Sequence, residues 1–253
     1  MQNNSKINQL FSAWPKNVVY LTSWLKEKGY STQLLNRYKK SNWITSLGNG
    51  AVIKNGDQPS VEGAIFALQK QAKMDIHPGG KTALVLLGKA QYLEFKRQSF
   101  VLFGNRTEKL PKWMAMHQWM EDLNYFSSTF LPMNLGMVEK EMEGFSILIS
   151  GATRAMMECL YLSTNDEDLL ECYEIMEGLN NLRPKQVQDM LVQCTNIKVK
   201  RLFLYLAKKV NHAWYNSLEL NKIDLGSGKR KLTAHGVYIP EFRITVPKKL
   251  ADG

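Results

Sequence analysis

Residues 22–54 read TSWLKEKGYSTQLLNRYKKSNWITSLGNGAVIK, and this stretch decides the fold. It parses as a short helix, a turn at Gly29, a second and basic helix, and a Gly-tipped hairpin. That order is helix-turn-helix followed by a wing, a shape that enters the DNA major groove. Thr22 or Ser23 is read as the cap of the first helix, Gly29 as the left-handed residue that ends it, and Ser31 as the cap of the second. Leu34, Leu35 and Tyr38 share the face turned toward a core. Thr32, Gln33, Asn36, Arg37 and Lys40 recur at helical spacing on the opposite face, and these are side-chain types that read base edges or hold phosphates. Residues 43–47, the turn Gly48-Asn49-Gly50 and residues 51–54 then form a two-stranded wing.

Charge supports the same reading. Residues 1–95 hold 12 Lys/Arg against 5 Asp/Glu, a net of +7. A local excess of this kind favours a polyanion, because neutralised phosphates release their condensed counterions. Residues 151–195 carry 3 basic and 8 acidic groups, and residues 196–253 carry 12 against 4, so an acidic block separates two basic ones. That segregation implies surfaces with different partners, or self-association.

Cys159, Cys172 and Cys194 form no CxxC pair and, with four scattered histidines, offer no zinc spacing; reduced thiols in a cytosolic protein are expected. The polar start of the chain lacks the apolar run of a secretory signal, and nothing approaches the ~20 apolar residues that span a bilayer. No cofactor is expected, and the protein is read as cytoplasmic.

Working outward, residues 5–14 form a first helix stopped by Pro15, and Ser60 caps a helix over 61–72. A domain boundary is expected at 91–97, giving a winged-helix domain at 1–95 and a mixed domain at 96–253, an α+β protein overall. In the second domain, 100–103 reads as a buried strand, Pro111 opens a short helix, and 136–138 and 145–149 are strands joined across an acidic turn. From Ser150 the pattern is helical (152–161, 166–178, 184–194, 197–210), and 243–246 alternates like a final strand. Lys198, Lys200, Arg201, Lys208 and Lys209 decorate the apolar rows of the 197–210 helix.

Enzyme readings find little. Gly226-Ser227-Gly228-Lys229 suggests a phosphate loop, but that motif needs a glycine where Ile223 stands and Ser or Thr where Arg230 stands. Gly79-Gly80 could cradle an anion at a helix start or simply allow a sharp turn, and we favour the turn. His77 is read as structural, and Asp166, Glu167, Asp168 and Glu171 as complements to a helix dipole. Trp113, Met114, Met116, Trp119 and Met120 read as core packing or a self-association surface.

Three stretches, at 21–52, at 60–88 (SVEGAIFALQKQAKMDIHPGGKTALVLLG), and LGSGKRKL with FRITVP at 225–232 and 242–247, together resemble the AbiEi antitoxin family in its longer, winged-helix form. The resemblance implies binding to repeats upstream of the protein's own operon, repression, and self-association on that double-stranded operator. It also implies neutralisation of a nucleotidyltransferase-like toxin without a stable complex. On this reading Ser31, Thr32, Gln33, Asn36, Arg37 and Lys40 contact the major groove, and Asn49 and Lys54 touch backbone or minor groove. Lys229, Arg230 and Lys231 form an antitoxin surface or an accessory DNA contact, and a 96–253 fragment should keep part of the antitoxin activity. The competing class is an enzyme or enzyme modulator with its active site in 96–253 and the winged helix used for protein interaction. An RNA-binding role is weaker, since no stacked-aromatic strand motif is visible.

Overall fold

Ser5 caps the first helix, α1 (Lys6–Ser12), by accepting from the Asn8 amide, and the helix closes at Ala13, two residues ahead of Pro15. The computed structural model describes residues 5–89, 99–233 and 235–251; the expected boundary at 91–97 lies outside them. β1 (Tyr20–Leu21) runs straight into α2 (Thr22–Glu27), followed by α3 (Thr32–Lys40), β2 (Ile44–Gly48) and β3 (Ala51–Lys54). The strands form one antiparallel sheet in the order β1-β3-β2, so the wing has a third strand that a two-residue segment gave no periodicity to reveal. Leu21, not Thr22 or Ser23, occupies the cap of α2 and offers no side-chain acceptor. Gly29 ends that helix at φ +86° with Tyr30 N–H on the Leu25 carbonyl, as its position implied.

α4 (Val61–Phe66) is capped by Ser60, whose Oγ accepts from Gly63 N–H at 2.9 Å. It widens into a π turn at Ala67–Gln71, so the regular α-helix is shorter than 61–72, while Val61, Ala64, Ile65 and Leu68 are all buried. Gly63 is required by close packing: a Cβ there would stand 2.3 Å from the Asn17 carbonyl oxygen.

The rest of the chain builds around parallel strands β5 (Ser99–Gly104) and β6 (Asp122–Ser127), with β4 (His77–Pro78) antiparallel on the other edge of β5. α5 (Gly80–Leu86) follows β4, and α6 (Lys112–Ala115) lies in the crossover between β5 and β6. β7 (Met137–Glu141) and β8 (Ser146–Ser150) form a hairpin. Glu139 and Glu141, expected in a turn, are therefore strand residues, because the backbone ladder continues to the Glu141–Ser146 pair. α7 (Ala152–Leu162), α8 (Asp166–Glu177), α9 (Pro184–Gln193) and α10 (Ile197–Lys209) then pack together. A final small sheet holds β9 (Arg230–Lys231), β10 (Gly236–Ile239) and β11 (Ile244–Pro247), with α11 (Lys248–Ala251) closing the described chain.

Three apolar clusters hold these layers. One lies under α3 (Leu10, Trp14, Leu25, Leu35, Tyr38, Ile44, Val52). The largest fills the helical region around Phe203, Leu206 and Ile244. The third joins the two halves, with Val61, Ala64 and Ile65 of α4 packed in one cluster with Leu102, Trp113, Met114, Ile147 and Ile149. No helix among the described residues is long and apolar enough to cross a membrane.

Candidate nucleic-acid interface

α3 is fixed at its N-terminal end. Ser31 Oγ accepts the Leu34 amide at 3.2 Å, satisfying an orphan donor of the first turn. Beneath the preceding turn, Lys6 Nζ donates to the Gly29 carbonyl at 3.2 Å and the Tyr30 hydroxyl to the Lys6 carbonyl at 3.3 Å, so α1 clamps the α2–α3 connection. Leu35 and Tyr38 are buried against α1, α2 and the sheet. Truncating a leucine buried like Leu35 costs roughly 2–5 kcal/mol, so this anchoring outweighs any single surface contact on the helix.

The opposite face carries Ser31, Thr32, Gln33, Asn36, Arg37 and Lys40, all exposed. α3 contains no acidic residue, and no described ion pair neutralises Arg37 or Lys40. A rigid helix therefore presents two amides, two hydroxyls and two cations in one patch. Asn and Arg on such a face have the bidentate geometry for adenine and guanine edges, and Lys40 suits a phosphate.

The wing stands beside it. Gly48 (φ +140°) and Gly50 (φ +91°) make the tip, with Asn49 exposed between them. The Gly50 carbonyl accepts from Thr22 N–H at 2.8 Å, which ties the tip to the start of α2. Lys54 is not part of this surface. It lies at the far end of β3 from the tip, paired with Ile44. Its ammonium donates to the carbonyls of Phe11 (3.3 Å) and Trp14 and stands 5.5 Å from the Phe11 ring centroid. The expected DNA contact is thus replaced by a clasp on the C-terminal end of α1, where a cation complements the helix dipole. Lys54→Ala should lower stability by about 1–2 kcal/mol in a urea titration and leave the salt dependence of DNA affinity unchanged.

Lys229, Arg230 and Lys231 are exposed and form a separate patch around β9. Lys229 stands 5.0 Å from the Tyr238 ring centroid. Behind them Arg201, one of the cations on the apolar rows of α10, is buried and donates to the carbonyls of Leu225 (2.7 Å), Gly226 (3.0 Å), Gly228 (2.6 Å) and Arg243 (3.1 Å). The glycine-containing turn is wound around a guanidinium, which explains the 225–231 sequence without a nucleotide. Burial lowers the Arg201 pKa and the charges of Arg230 and Arg243 lower it further, outweighing Tyr238 and Asp224; among the described residues no ion pair joins it to a carboxylate. The patch therefore carries concentrated positive charge.

The buried Glu158 carboxylate is engaged within the fold. Glu158, fully buried on α7, accepts from Ser150 Oγ (2.8 and 2.9 Å), Arg154 Nε (2.8 Å) and Gly80 N–H (2.9 Å), with His77 Nε2 at 3.3 Å. The anion that meets the Gly79-Gly80 turn is thus the chain's own carboxylate, and a Cβ on Gly79 would stand 2.4 Å from it. Burial pushes the Glu158 carboxyl up, but the hydrogen bond and charge of His77, the Arg154 charge and the Gly80 amide outweigh it and leave the pKa below its usual value. A cleft of about 650 Å³ lies alongside, and its wall holds Lys73, Asp75 and His77 among Gln69, Met74, Met133, Met137 and Leu148. Burial pushes the Cys172 thiol up to about 12 and Cys159 well above its usual range, so neither is an activated thiolate. Among the described residues no His/Cys/Asp/Glu group could hold a metal ion. Asp168 Oδ2 accepts from Thr164 N–H at 2.7 Å and Asn165 Oδ1 from Asp168 N–H at 2.9 Å, so Asn165 and Asp168 cap α8, while Glu171 pairs with Lys81.

Comparison with known proteins agrees with this geometry. A family model described as "Transcriptional regulator, AbiEi antitoxin N-terminal domain" matches residues 3–95, and one described as "Transcriptional regulator, AbiEi antitoxin, Type IV TA system" matches residues 97–247. Among solved structures, the chain is similar in fold to the RV2827C protein from Mycobacterium tuberculosis, at 13% identity and a TM-score of 0.57, covering 90% of this chain and 86% of that one. No curated protein matches.

Proposed function

The chain belongs to the AbiEi antitoxin family of type IV toxin–antitoxin systems, a family of transcriptional regulators, and from that premise we propose that it represses its own toxin–antitoxin operon by sequence-specific binding to repeated operator DNA. The observation that carries this reading is the exposed, acid-free face of α3, on which Asn36 and Arg37 stand together over a buried anchor. Two or more copies bind, because one recognition helix covers a half-site, and half-sites then fall about 10 base pairs or a multiple apart. Asn49 at the wing tip touches the neighbouring backbone or minor groove.

The second activity is neutralisation of a nucleotidyltransferase-like toxin, without catalysis by this chain and without a lasting complex. Lys229, Arg230 and Lys231 are the surface proposed for it, since they form a cationic patch separate from α3. The protein works in the cytoplasm, where its operator is.

The test is a fluorescence-anisotropy titration of the full-length protein on its own upstream region and on scrambled duplex, at two salt concentrations. Selective binding that weakens steeply with salt is the expected result. Equal, weak binding to both duplexes would remove the repressor reading and leave the winged helix as a protein-interaction module. For the second activity, replacing Lys229, Arg230 and Lys231 together by alanine should abolish protection against the co-expressed toxin while leaving operator affinity within about threefold. Unchanged protection would send the antitoxin surface elsewhere. Full-length variants are the right probes, because a 96–253 fragment would expose the faces of Leu102, Trp113 and Ile147 that the α4 residues cover.

A further inference from the structure

The crossover from β5 to β6 is positive where it begins and negative where it ends. In this parallel pair Gly104 stands beside Ser127 and Ser99 beside Asp122, so residues 105–121 return from the C-terminal end of the strands to their N-terminal end, five residues of strand or about 17 Å away. The leading end carries Arg106, Lys109 and Lys112, all exposed, while the acid among them, Glu108, is turned inward on the amides of Asp75 (2.9 Å) and Asn105 (3.4 Å). The trailing end carries Glu121 and Asp122, also exposed. Among the described residues no ion pair engages Arg106, Lys109, Lys112, Glu121 or Asp122. Burial raises the pKa of Glu62 on α4 and the charge of Glu121 adds to that shift, so at this end an acid stands near an acid. Between the two ends the surface is apolar. Trp113 and Met114 are buried, and Trp119 Nε1 donates to the Met114 carbonyl at 2.8 Å, which folds the 114–119 turn back on itself. Met116 is 79% exposed and Met120 94% exposed, the two most exposed large apolar side chains described.

Exposed apolar side chains grouped within a polar rim mark a contact surface, and the charges on the rim select what fits it. A polyanion is a poor match, because Glu121 and Asp122 directly follow Met120 and would meet it with like charge. A second copy of the chain is a good one. A surface that is positive at one end, apolar in the middle and negative at the other is its own complement after a half-turn, which is the requirement of a two-fold contact. We propose that the α6–Met120 crossover is the contact between two copies of this chain, with Met116 of each against Met120 of the other and Lys112 of each meeting Glu121 and Asp122 of the other. The patch is smaller than a standard interface, so the pair is weak in free solution and is strengthened where an operator holds two copies side by side. Gly48 keeps the patch near the wing, since a Cβ on it would stand 2.9 Å from the Trp113 Cβ. The role on the operator rests on the DNA-binding reading above, whereas the contact itself does not.

The test is equilibrium sedimentation of the full-length protein without DNA, over a range of loading concentrations, with a titration of the upstream duplex run alongside. The parent should show a reversible monomer–dimer equilibrium. The pair Met116→Ser and Met120→Ser should raise its dissociation constant by at least about tenfold, since the apolar centre is gone. Lys112→Glu alone and Glu121→Lys alone should each do the same, because either change sets like charges against each other at two symmetric places. Lys112→Glu combined with Glu121→Lys should bring the constant back to within about threefold of the parent, a rescue that a purely structural role for these side chains would not produce. All four positions are exposed, so matching thermal midpoints establish that the fold is intact. A parent that stays monomeric at every concentration overturns the proposal, as do variants that associate like the parent or a charge swap that fails to restore the pair. If the parent is monomeric yet selects its operator, the contact is wrong and the repressor reading stands. If the parent pairs as described but binds operator and scrambled duplex alike, the contact stands and the repressor reading falls.

Discussion

Arg37→Ala should weaken operator binding by about 1–3 kcal/mol, roughly five- to 150-fold, and should relax preference at one position of each half-site. The size follows from what is lost. A bidentate guanidinium contact discriminates among bases, while its phosphate-directed charge adds about one unit to the salt slope. The arginine is exposed on a helix whose stability comes from Leu35 and Tyr38 on the other side, so the substitution should leave the unfolding midpoint nearly unchanged. With two or more copies on the operator, the loss is felt at each half-site, and repression measured with a promoter fusion should collapse further than single-site affinity does. Because Lys229, Arg230 and Lys231 lie on another surface, the same variant should still protect cells from the toxin. A binding curve of Arg37→Ala that overlays the parent on both operator and scrambled duplex would remove α3 from the recognition role.

How much of this was legible in the sequence depended on how local the responsible interaction is. Gly29, Ser31 and Ser60 act on residues within three or four positions, and each does what its place in the chain implied. The exposed face of α3 was equally readable, because helical spacing alone separates it from Leu35 and Tyr38. Lys54 differs from its expected role for the opposite reason: the carbonyls that capture it belong to residues some 40 positions earlier, and a lysine beside a wing looks the same whether or not such partners exist. Arg201 stands in a row of cations on an amphipathic helix, and nothing local shows that the turn 24 to 27 residues later closes over it. The cluster at Trp113, Met114, Met116 and Met120 was open between core and surface. Trp113 and Met114 are core and Met116 and Met120 are surface, because a single helical turn cannot bury all of its sides. The two-residue β1 is too short to show alternation, and β6 alternates over only Asp122–Tyr125 before Phe126 breaks the pattern.

Glu158 illustrates the same non-locality with the largest consequence for stability. Its carboxylate gathers Ser150 from β8, Arg154 from its own helix, Gly80 at the start of α5 and His77 from β4, so one buried charge fastens elements that lie 78 to 81 residues apart in the chain as well as its immediate neighbours. Arg154 in turn donates to the carbonyls of Pro132 and Leu135, both at 2.7 Å, which ties the segment before β7 into the same knot. Removing one partner of a buried ion pair leaves the other uncompensated, at a cost of roughly 3–5 kcal/mol, and a domain has about 5–15 in all. Glu158→Gln should therefore lower the urea midpoint sharply. Glu158→Gln combined with Arg154→Met should cost less than the sum of the two single changes, because the stranded guanidinium is gone as well. The pH dependence has a defined sign. The folded-state pKa of Glu158 lies below its unfolded value. The stabilisation is therefore fully present above the ordinary carboxylate range, near pH 4–5, and is lost as pH falls through the folded value. The gap in stability between parent and Glu158→Gln should accordingly be widest at neutral pH and shrink on acidification. A gap that stayed constant from pH 7 to pH 3 would mean that this network is held by packing and neutral hydrogen bonds rather than by the charge.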